Sequence, residues 1–325
     1  PVSPSTPAFL NQHNVSQNEN RSHLADWLLN QENPLTARVE VDRLWRAMFG
    51  KGLVRTPENF GSQGRPPTHP QMLDYLAHEF VRSGWDRKSL LRRIALSATF
   101  RQSSATNPEA WAADPENTLW GRGPSSPLSS EMLRDSALFA SGLLVKKIGG
   151  PSVLPYQPAG LWSDKGAATY SQSKGENLYR RSLYTYWKRT SPPPSMTILD
   201  AAERDVCVAR REPTNTPLQA LVLWNDPQFG EAARVLAATL CGIENPLETA
   251  FLRLTGKFPS PNEITALENL FDSEKAAFLA DPARAQALVA VGEAPAPKDI
   301  PVAEHAAWTL VCSAIMASDQ SISLR

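Results

Sequence analysis

The sequence lacks the features that mark several common classes of protein. Its longest apolar run, residues 306–317, includes Thr309 and Ser313 and is shorter than the roughly 20 residues that cross a membrane. The 33 basic residues are balanced by 33 acidic ones, so the basic excess of a nucleic-acid-binding protein is absent. We therefore expect no membrane span in this chain and no nucleic-acid partner.

Cysteine is scarce, and its spacing excludes two kinds of metal centre. The three cysteines, Cys207, Cys241 and Cys312, lie far apart without a Cys-x-x-Cys motif, which excludes a zinc ribbon and a covalently attached haem. The five histidines show no metal-ligand spacing. The sequence also lacks a P-loop, a dinucleotide-binding glycine pattern and a Gly-x-Ser-x-Gly turn. We expect no metal site and no cofactor in this chain.

The chain is predicted to contain a linker and two helical regions. Residues 1–20 are rich in Pro, Ser, Asn and Gln and predict a linker. The chain does not start with Met and shows no signal peptide, so we interpret it as part of a longer polypeptide. We predict a main helical domain over residues 21–240, with a C-terminal helical region over residues 241–320 packed on it.

Much of the proline follows a residue that can cap a helix. Such a pair occurs five times, at Thr216-Pro217, Asp226-Pro227, Asn245-Pro246, Ser260-Pro261 and Asp281-Pro282. The side-chain oxygen can accept from an unpaired amide, and proline in the first turn wastes no donor. The pairs predict five helix starts and a mainly α, compact multi-helix domain.

Apolar periodicity predicts further helices, and one segment predicts a small β element. Helices are expected after the pair Asn33-Pro34, over residues 69–83, from residue 86, and over residues 130–147 and 303–317. Residues 181–188 are rich in aromatic and β-branched side chains and predict a strand. Residues 150–180 show no periodicity, so this long irregular loop is either functional or disordered.

Several long motifs resemble one protein family. They are residues 33–61, the His69-Pro70 pair with its following helix, residues 97–103, the Arg181-Ser-Leu-Tyr sequence and residues 200–227. Together they resemble the planctomycete-specific domain-one family, a domain of unknown function, over about residues 21–318. The resemblance implies a bacterial, extracytoplasmic (periplasmic or secreted) setting. It also implies a cytochrome c module upstream in the same polypeptide, where haem would be possible. It supplies no activity.

Three charged residues are candidates for catalysis. Asp200, Arg204 and Asp205 lie within six residues of one another. Their carboxylates could bind a divalent cation or divide the roles of acid and base. The alternative, which we favour, is a network in which Arg204 and Arg210 or Arg211 pair with the two aspartates and hold the loop against the helix at Pro217.

Other residues are candidates for ligand binding. Asn215 precedes a helix start that could hold an anion, although plain capping is the alternative. Trp162 and the aromatic residues of 170–187 lie among basic side chains and could bind an acidic carbohydrate, although packing in the core is the alternative. The candidate ligand-binding residues are therefore Trp162, Arg181, Arg210, Arg211 and Asn215.

The sequence favours a binding role and leaves two alternatives open. We expect an extracytoplasmic binding or scaffold module of a larger redox-linked or polysaccharide-processing bacterial protein. The first alternative is a polysaccharide-active hydrolase or lyase that uses the Asp200–Asp205 region. The second is a docking surface for the cytochrome c module. Whether the chain is an enzyme stays open at this point.

Overall fold

The computed structural model describes Leu10 and residues 21–162 and 169–324. The described residues form two compact units, one that ends at Ser126 and one over Pro127–Leu324. They contain fourteen α-helices and one two-stranded sheet, which confirms the predicted mainly α fold class. No helix in this part of the chain is long and apolar enough to span a bilayer.

The first unit is built around an aromatic core. Its helices are α1 (Arg21–Leu29), α2 (Thr36–Phe49), α3 (Pro70–Arg82), α4 (Arg87–Ala95) and α5 (Pro108–Ala113). Trp45 stacks on Phe49 at 4.3 Å between ring centroids, because the two residues lie one helical turn apart on α2. Trp120 meets Trp45 edge to face at 5.3 Å. The apolar faces of α3 and α4 complete this core.

The second unit is centred on two packed helices. Its helices are α6 (Ser130–Ser141), α7 (Pro194–Ile198), α8 (Pro217–Asn225), α9 (Pro227–Ala238), α10 (Pro246–Thr255), α11 (Pro261–Ala280), α12 (Pro282–Val289), α13 (Val302–Met316) and α14 (Asp319–Ile322). The α9 helix packs along α13, and α11 and α12 also pack against α13. Small residues such as Ala232 and Ala233 are fully buried and let α9 approach its neighbours closely. Helices on both sides of residue 240 share this core, so the division of the structure near residue 126 differs from the predicted boundary at residue 240.

The five predicted helix starts are confirmed, since α8, α9, α10, α11 and α12 each begin with the proline of the pair. The side chains of Thr216, Asp226, Ser260 and Asp281 accept a backbone N–H in the first turn, whereas Asn245 does not. Thr216 and Ser260 belong to complete capping boxes. The sequence pattern therefore positions α8, which carries Gln219, and α9, which carries Glu231 and Arg234.

Two predicted helix boundaries need correction. The second helix begins at Thr36 and not at Pro34, although Asn33 Oδ1 still accepts from the N–H of Leu35 at 3.0 Å. The helix predicted over residues 130–147 ends at Ser141, because Gly142 adopts a left-handed conformation with φ of 80°. A left-handed glycine at this position ends a helix whatever apolar residues follow.

The strand predicted over residues 181–188 is wrong except at Thr185, which forms an isolated parallel bridge with Val153. This region and the residues before it form two 3₁₀ helices, Gly175–Tyr179 and Ser182–Tyr184. Side chains of α6 take up its backbone groups: Asp135 accepts from the N–H of Ser182 at 2.7 Å, and Arg134 donates to the carbonyl of Arg180 at 2.8 Å. The sheet among the described residues is instead formed by β1 (Ser126–Pro127) and β2 (Ser323–Leu324).

Candidate functional site

Asp200 joins the end of α7 to the start of α8. Its backbone is left-handed, with φ of 60°. Its carboxylate accepts from the backbone N–H of Thr214 at 2.6 Å and from the hydroxyl of Thr214 at 2.9 Å. The side-chain amide of Gln219 donates to the same carboxylate at 3.0 Å. These bonds hold the loop against the Pro217 helix, as predicted, but they use threonine and glutamine in place of arginine.

The other predicted catalytic residues lie beside the aromatic cluster. The guanidinium of Arg204 lies 4.9 Å from the centroid of the Trp187 ring. Asp205 accepts from Arg189 at 2.8 Å, and these two side chains are 50% and 69% exposed. Because the indole N–H of Trp187 donates to the carbonyl of Glu203 at 2.9 Å, residues 187–189 and 203–205 lie side by side. The structure thus joins two candidate groups that the sequence analysis treated separately.

The predicted arginine–carboxylate network is corrected at its other members. Arg211 forms two hydrogen bonds, of 2.6 and 2.9 Å, to the carboxylate of Glu131 on α6. Arg210 pairs with Glu212 at 2.8 Å. Burial acts to raise the pKa of Glu131, but the hydrogen bonds and charge of Arg211 outweigh it and lower that pKa to about 2. The segment around Arg211 therefore contacts α6. The sequence analysis, which considered only partners within the motif, did not predict this contact.

Two further candidate residues occupy ordinary structural positions. Asn215 is exposed and precedes the capping residue Thr216, whose box with Gln219 satisfies the first amides of α8. Arg181 lies 3.8 Å from Asp135, and its side chain is about half exposed. Capping, the alternative considered for Asn215, accounts for the first position.

An aromatic patch stands out in the second unit, and we define it by Trp162, Tyr170, Tyr186, Trp187 and Lys188. The rings of Tyr170 and Tyr186 lie 5.0 and 5.8 Å from the ring of Trp162. The amino group of Lys188 lies 4.5 Å from the Trp162 centroid. Tyr186 is 46% exposed, and the other four side chains are partly buried. The patch therefore exposes the ring of Tyr186 beside three partly buried rings and a lysine whose amino group is shielded from solvent.

The remaining aromatic residues of the cluster are also partly buried but contact groups outside the patch. Tyr179 donates its hydroxyl to Glu231 at 2.8 Å, and Tyr184 lies under the guanidinium of Arg180 at 3.8 Å. The predicted aromatic cluster is thus divided between the patch and these other contacts. Trp162 belongs to the patch.

Comparison with known proteins identifies the family. The family model PSD1, described as a protein of unknown function (DUF1553), matches residues 20–271. The chain belongs to the PSD1 family. This confirms the family expected from the motifs, and it brings no activity with it. No curated protein and no solved structure matches the chain.

A buried cluster on α9 of this PSD1 chain was missed by the sequence analysis. Glu231 is 1% exposed. It accepts from Tyr156 at 3.0 Å, from Tyr179 at 2.8 Å and from the backbone N–H of Ala294 at 2.6 Å. Arg234, one turn later, donates to the carbonyls of Val291 and Ala294 at 2.9 and 2.6 Å. The cluster fastens two long loops to α9.

The hydrogen bonds of this cluster have a structural role and do not form an acid–base pair. Burial, followed by the charge and hydrogen bond of Glu231, raises the pKa of both Tyr156 and Tyr179 well above the usual range. Both hydroxyls therefore stay protonated and act as donors. A glutamate and an arginine one turn apart on an otherwise apolar helix were the only sequence signal, and a surface ion pair gives the same signal.

The α8 helix of the PSD1 chain exposes an apolar stripe, formed by Leu218, Leu221 and Trp224. These side chains are 51%, 56% and 43% exposed. Their spacing of three residues places them along one side of the helix. Contiguous exposed apolar surface is typical of interaction sites.

The described residues contain no group of three or more His, Cys, Asp or Glu side chains that could hold a metal ion. Asp200 and Asp205 direct their carboxylates to Thr214 and Arg189. The carboxylates of the candidate site therefore act as acceptors for protein donors.

Proposed function

We propose that this PSD1 chain is a binding module whose aromatic patch holds an acidic polysaccharide. The observation that carries the proposal is the group of three rings centred on Trp162, with the amino group of Lys188 against its face. Sugar rings stack on aromatic faces, and a nearby cation attracts an acidic sugar. In this proposal the module serves a larger extracytoplasmic protein that is redox-linked or processes polysaccharide.

The charges around the patch favour an acidic ligand. Lys188, Arg189 and Arg204 lie at its edge, whereas Asp205 is the carboxylate that pairs with Arg189. That pair is exposed to solvent, so its attraction is weak and a ligand can replace it at small cost. A uronate or sulfate group would then accept charge-assisted hydrogen bonds from Arg189 and Arg204.

Unsatisfied donors within the patch add to this argument. The indole N–H of Trp162 and the amino group of Lys188 are shielded from solvent and have no hydrogen-bond partner in the described part of the chain. A buried donor without an acceptor carries a desolvation cost that an acceptor would remove. Hydroxyl or carboxylate oxygens of a sugar are acceptors of this kind.

The same geometry supports binding over hydrolysis. A hydrolase that cleaves glycosidic bonds typically needs two carboxyl groups facing the bond, one protonated and one ionised. Both oxygens of Asp200 accept from Thr214, and Asp205 is paired with Arg189. These bonds engage both carboxylates with donors of the protein itself.

The test is a binding titration with the whole chain. Polygalacturonate, as the acidic polysaccharide, is compared with a neutral glucan by calorimetry. The change Tyr186→Ala should weaken binding of polygalacturonate by about tenfold, and Lys188→Met by a similar factor, since each removes one ring or cation contact. The matched control is Phe139→Ala, since Phe139 is an exposed ring of the same unit with Lys146 at 5.3 Å. Absence of binding, or equal loss with the control, would contradict the proposal.

A second candidate function is docking of the cytochrome c module that the motif resemblance implies. The apolar stripe of α8 favours it, because three large side chains in a row are exposed there. Burying them would contribute about 25 cal/mol for each Å² of apolar surface covered. The test measures binding of the separately expressed module to the chain. In this reading Leu221→Lys abolishes binding, whereas Leu183→Lys, at another exposed leucine of the unit, leaves it intact.

A further inference from the structure

A cavity of about 320 Å³ opens in the first unit between the start of α2, the start of α3 and the loop over residues 53–68. Sites for small molecules range over roughly 300–1,000 Å³, so the cavity lies at the lower end of that range. No residue of the aromatic patch lines it. The first unit therefore has a pocket of its own that is large enough for a small organic molecule.

The loop that forms one wall of this cavity is held in shape by its own hydrogen bonds. Its ends meet where the N–H of Thr68 donates to the carbonyl of Leu53 at 2.9 Å. Within the loop, Thr56 Oγ1 accepts from the N–H of Arg65 at 2.9 Å and donates to the carbonyl of Asn59 at 3.0 Å. Compact loops whose ends lie close together are frequently functional.

Glycine is required at one point of this loop. The N–H of Gly64 donates to the carbonyl of Gly61 at 3.0 Å. A Cβ atom at Gly64 would lie only 2.0 Å from the carbonyl oxygen of Asn59. Because glycine has no side chain, the backbone can turn back on itself here. Ser62 and Arg65, which flank this glycine, both line the cavity.

Much of the lining of the cavity is apolar. Val54 and Leu73 are 2% and 1% exposed, and the half-buried ring of Phe60 packs against the same core. Pro66 and Pro67 add two further rings to the lining. Small-molecule sites are typically lined in this way, by apolar and aromatic side chains with a few polar groups that fix the orientation of the ligand.

The charged groups of the lining leave one positive charge in excess. They are two arginines, Arg38 and Arg65, and one carboxylate, that of Asp74. Arg38 donates to Asp74 at 2.6 Å and to the carbonyl of Pro34 at 2.6 Å, so the carboxylate is already paired. Arg65 is exposed and forms no ion pair within 4.0 Å with a carboxylate of the described residues. The cavity thus combines an apolar interior with a guanidinium that can accept an anion.

We propose that this cavity binds a small aromatic carboxylic acid in its ionised form. The aromatic ring lies against Phe60, Pro66 and Pro67, since aromatic rings pack well on flat apolar faces. The carboxylate accepts charge-assisted hydrogen bonds from Arg65, whose planar guanidinium matches its geometry. The hydroxyl of Ser62 can donate a further bond. This site lies wholly in the first unit, so its test is independent of the polysaccharide site proposed above.

The experiment titrates the whole chain by calorimetry with three probes at constant ionic strength. Phenylpropanoate has both a ring and a charge, phenylpropanamide has the ring alone, and acetate has the charge alone. Phenylpropanoate should bind about tenfold or more tightly than either of the others, because only this probe makes both kinds of contact. Arg65→Gln should weaken binding of phenylpropanoate about tenfold and leave that of the amide unchanged. Arg92→Gln, at an exposed arginine of α4, is the matched control and should change neither.

A second variant blocks the cavity and leaves its charges in place. Ser62 is exposed and lines the cavity, so the ring in Ser62→Phe should occupy the space of the ligand and abolish binding of both phenylpropanoate and the amide. Ser89→Phe, at an exposed serine of α4, adds the same ring outside the cavity and should leave binding intact. Thermal melts verify that each variant is folded.

Amide NMR spectra of the parent chain locate the ligand without any variant. Phenylpropanoate should shift the resonances of Gly61 and Gly64, which line the cavity, and leave that of Gly142 in the second unit unchanged. Absence of binding, equal affinity for phenylpropanoate and its amide, unchanged binding by Ser62→Phe, or shifts confined to the second unit would each overturn the proposal.

Discussion

The second unit contains two groups of arginine and acidic side chains that differ in burial. In the α9 group, Glu231 and Arg234 are each 1% exposed and bond to loop backbone and tyrosine hydroxyls. In the group around residues 203–212, Asp205, Arg189 and Arg210 are largely exposed and pair in twos. The density of charge along the sequence is greater in the second group. The first group contributes more to the stability of the fold, because its charges lie in a low dielectric and losing a partner there leaves a desolvated charge unpaired.

The largest expected effect in this comparison is that of Glu231→Ala. The change leaves two tyrosine hydroxyls, the N–H of Ala294 and the charge of Arg234 without their acceptor. Stranding a buried charge typically costs about 3–5 kcal/mol. Urea unfolding should therefore show a loss of that size, whereas Glu268→Ala, at an exposed glutamate of α11, should change stability by less than about 0.5 kcal/mol. Similar losses in the two variants would remove the distinction between the groups.

Gly292→Ala tests the same buried group from the side of the loop. Gly292 has φ of 92°, and a Cβ there would lie 2.3 Å from the side chain of Glu231. We expect a loss of about 2–4 kcal/mol, from backbone strain together with displacement of Glu231. Gly256→Ala is the control, since its φ is 71° with nothing within 4 Å of the added atom. Strain alone should cost it about 1 kcal/mol, and the difference between the two midpoints measures how rigidly Glu231 is held.

A change at Asp200 is expected to have an effect on stability between those of the two groups. Asp200→Ala removes the acceptor of Thr214 and Gln219 and places alanine at a φ of 60°. We expect a loss of about 2 kcal/mol. Asp200→Asn should lose less, because asparagine tolerates the left-handed conformation and keeps one acceptor oxygen. A midpoint for Asp200→Ala at or above that of the parent would instead favour the hydrolase or lyase alternative.

The pair of Glu131 and Arg211 should make stability depend on pH. The pKa of Glu131 is lowered to about 2 in the folded chain, below the value of about 4.3 in an unfolded chain. The pair therefore stabilises the fold fully above about pH 4.3, and this contribution is lost as pH falls toward 2. Arg211 is 39% exposed, so we expect only about 1 kcal/mol. Arg211→Gln should lower stability at pH 7 and by a smaller amount as pH approaches 2, and a constant difference across this range would exclude the pair as its cause.

Helix starts could be predicted from the sequence because their cause is local. A capping side chain and the proline after it lie next to each other, and five such pairs begin five helices. The strand at residues 181–188 could not be judged in this way, since its backbone bonds partly to Asp135 of α6 and partly to Val153 in a single bridge. The hydrogen-bond partners of a strand lie far away in the sequence, so the strand's own residues do not reveal them.

The candidate site was predictable in its composition but not in its contacts. Trp162 and its aromatic neighbours were recognised, and so was the role of Asp200 in holding the loop to α8. The partners were not, because Arg211 finds Glu131 at a separation of 80 residues and Tyr156 finds Glu231 at a separation of 75. Such pairs are determined by helix packing, which no spacing within a motif reveals.

The smallest expected effect is that of Asp205→Ala, in the exposed group. If Asp205 were paired within a buried network, as the favoured arrangement of the sequence analysis would allow, this change would cause a marked loss. In the structure its partner is Arg189, and solvent reaches both side chains. An exposed pair contributes about 0.2–1 kcal/mol and weakens further with salt. Urea unfolding of Asp205→Ala should therefore differ from the parent by less than about 1 kcal/mol, with a smaller difference in 1 M salt. A loss as large as that of Glu231→Ala would mean that the exposed group also supports the fold, and the contrast between the two groups would fail.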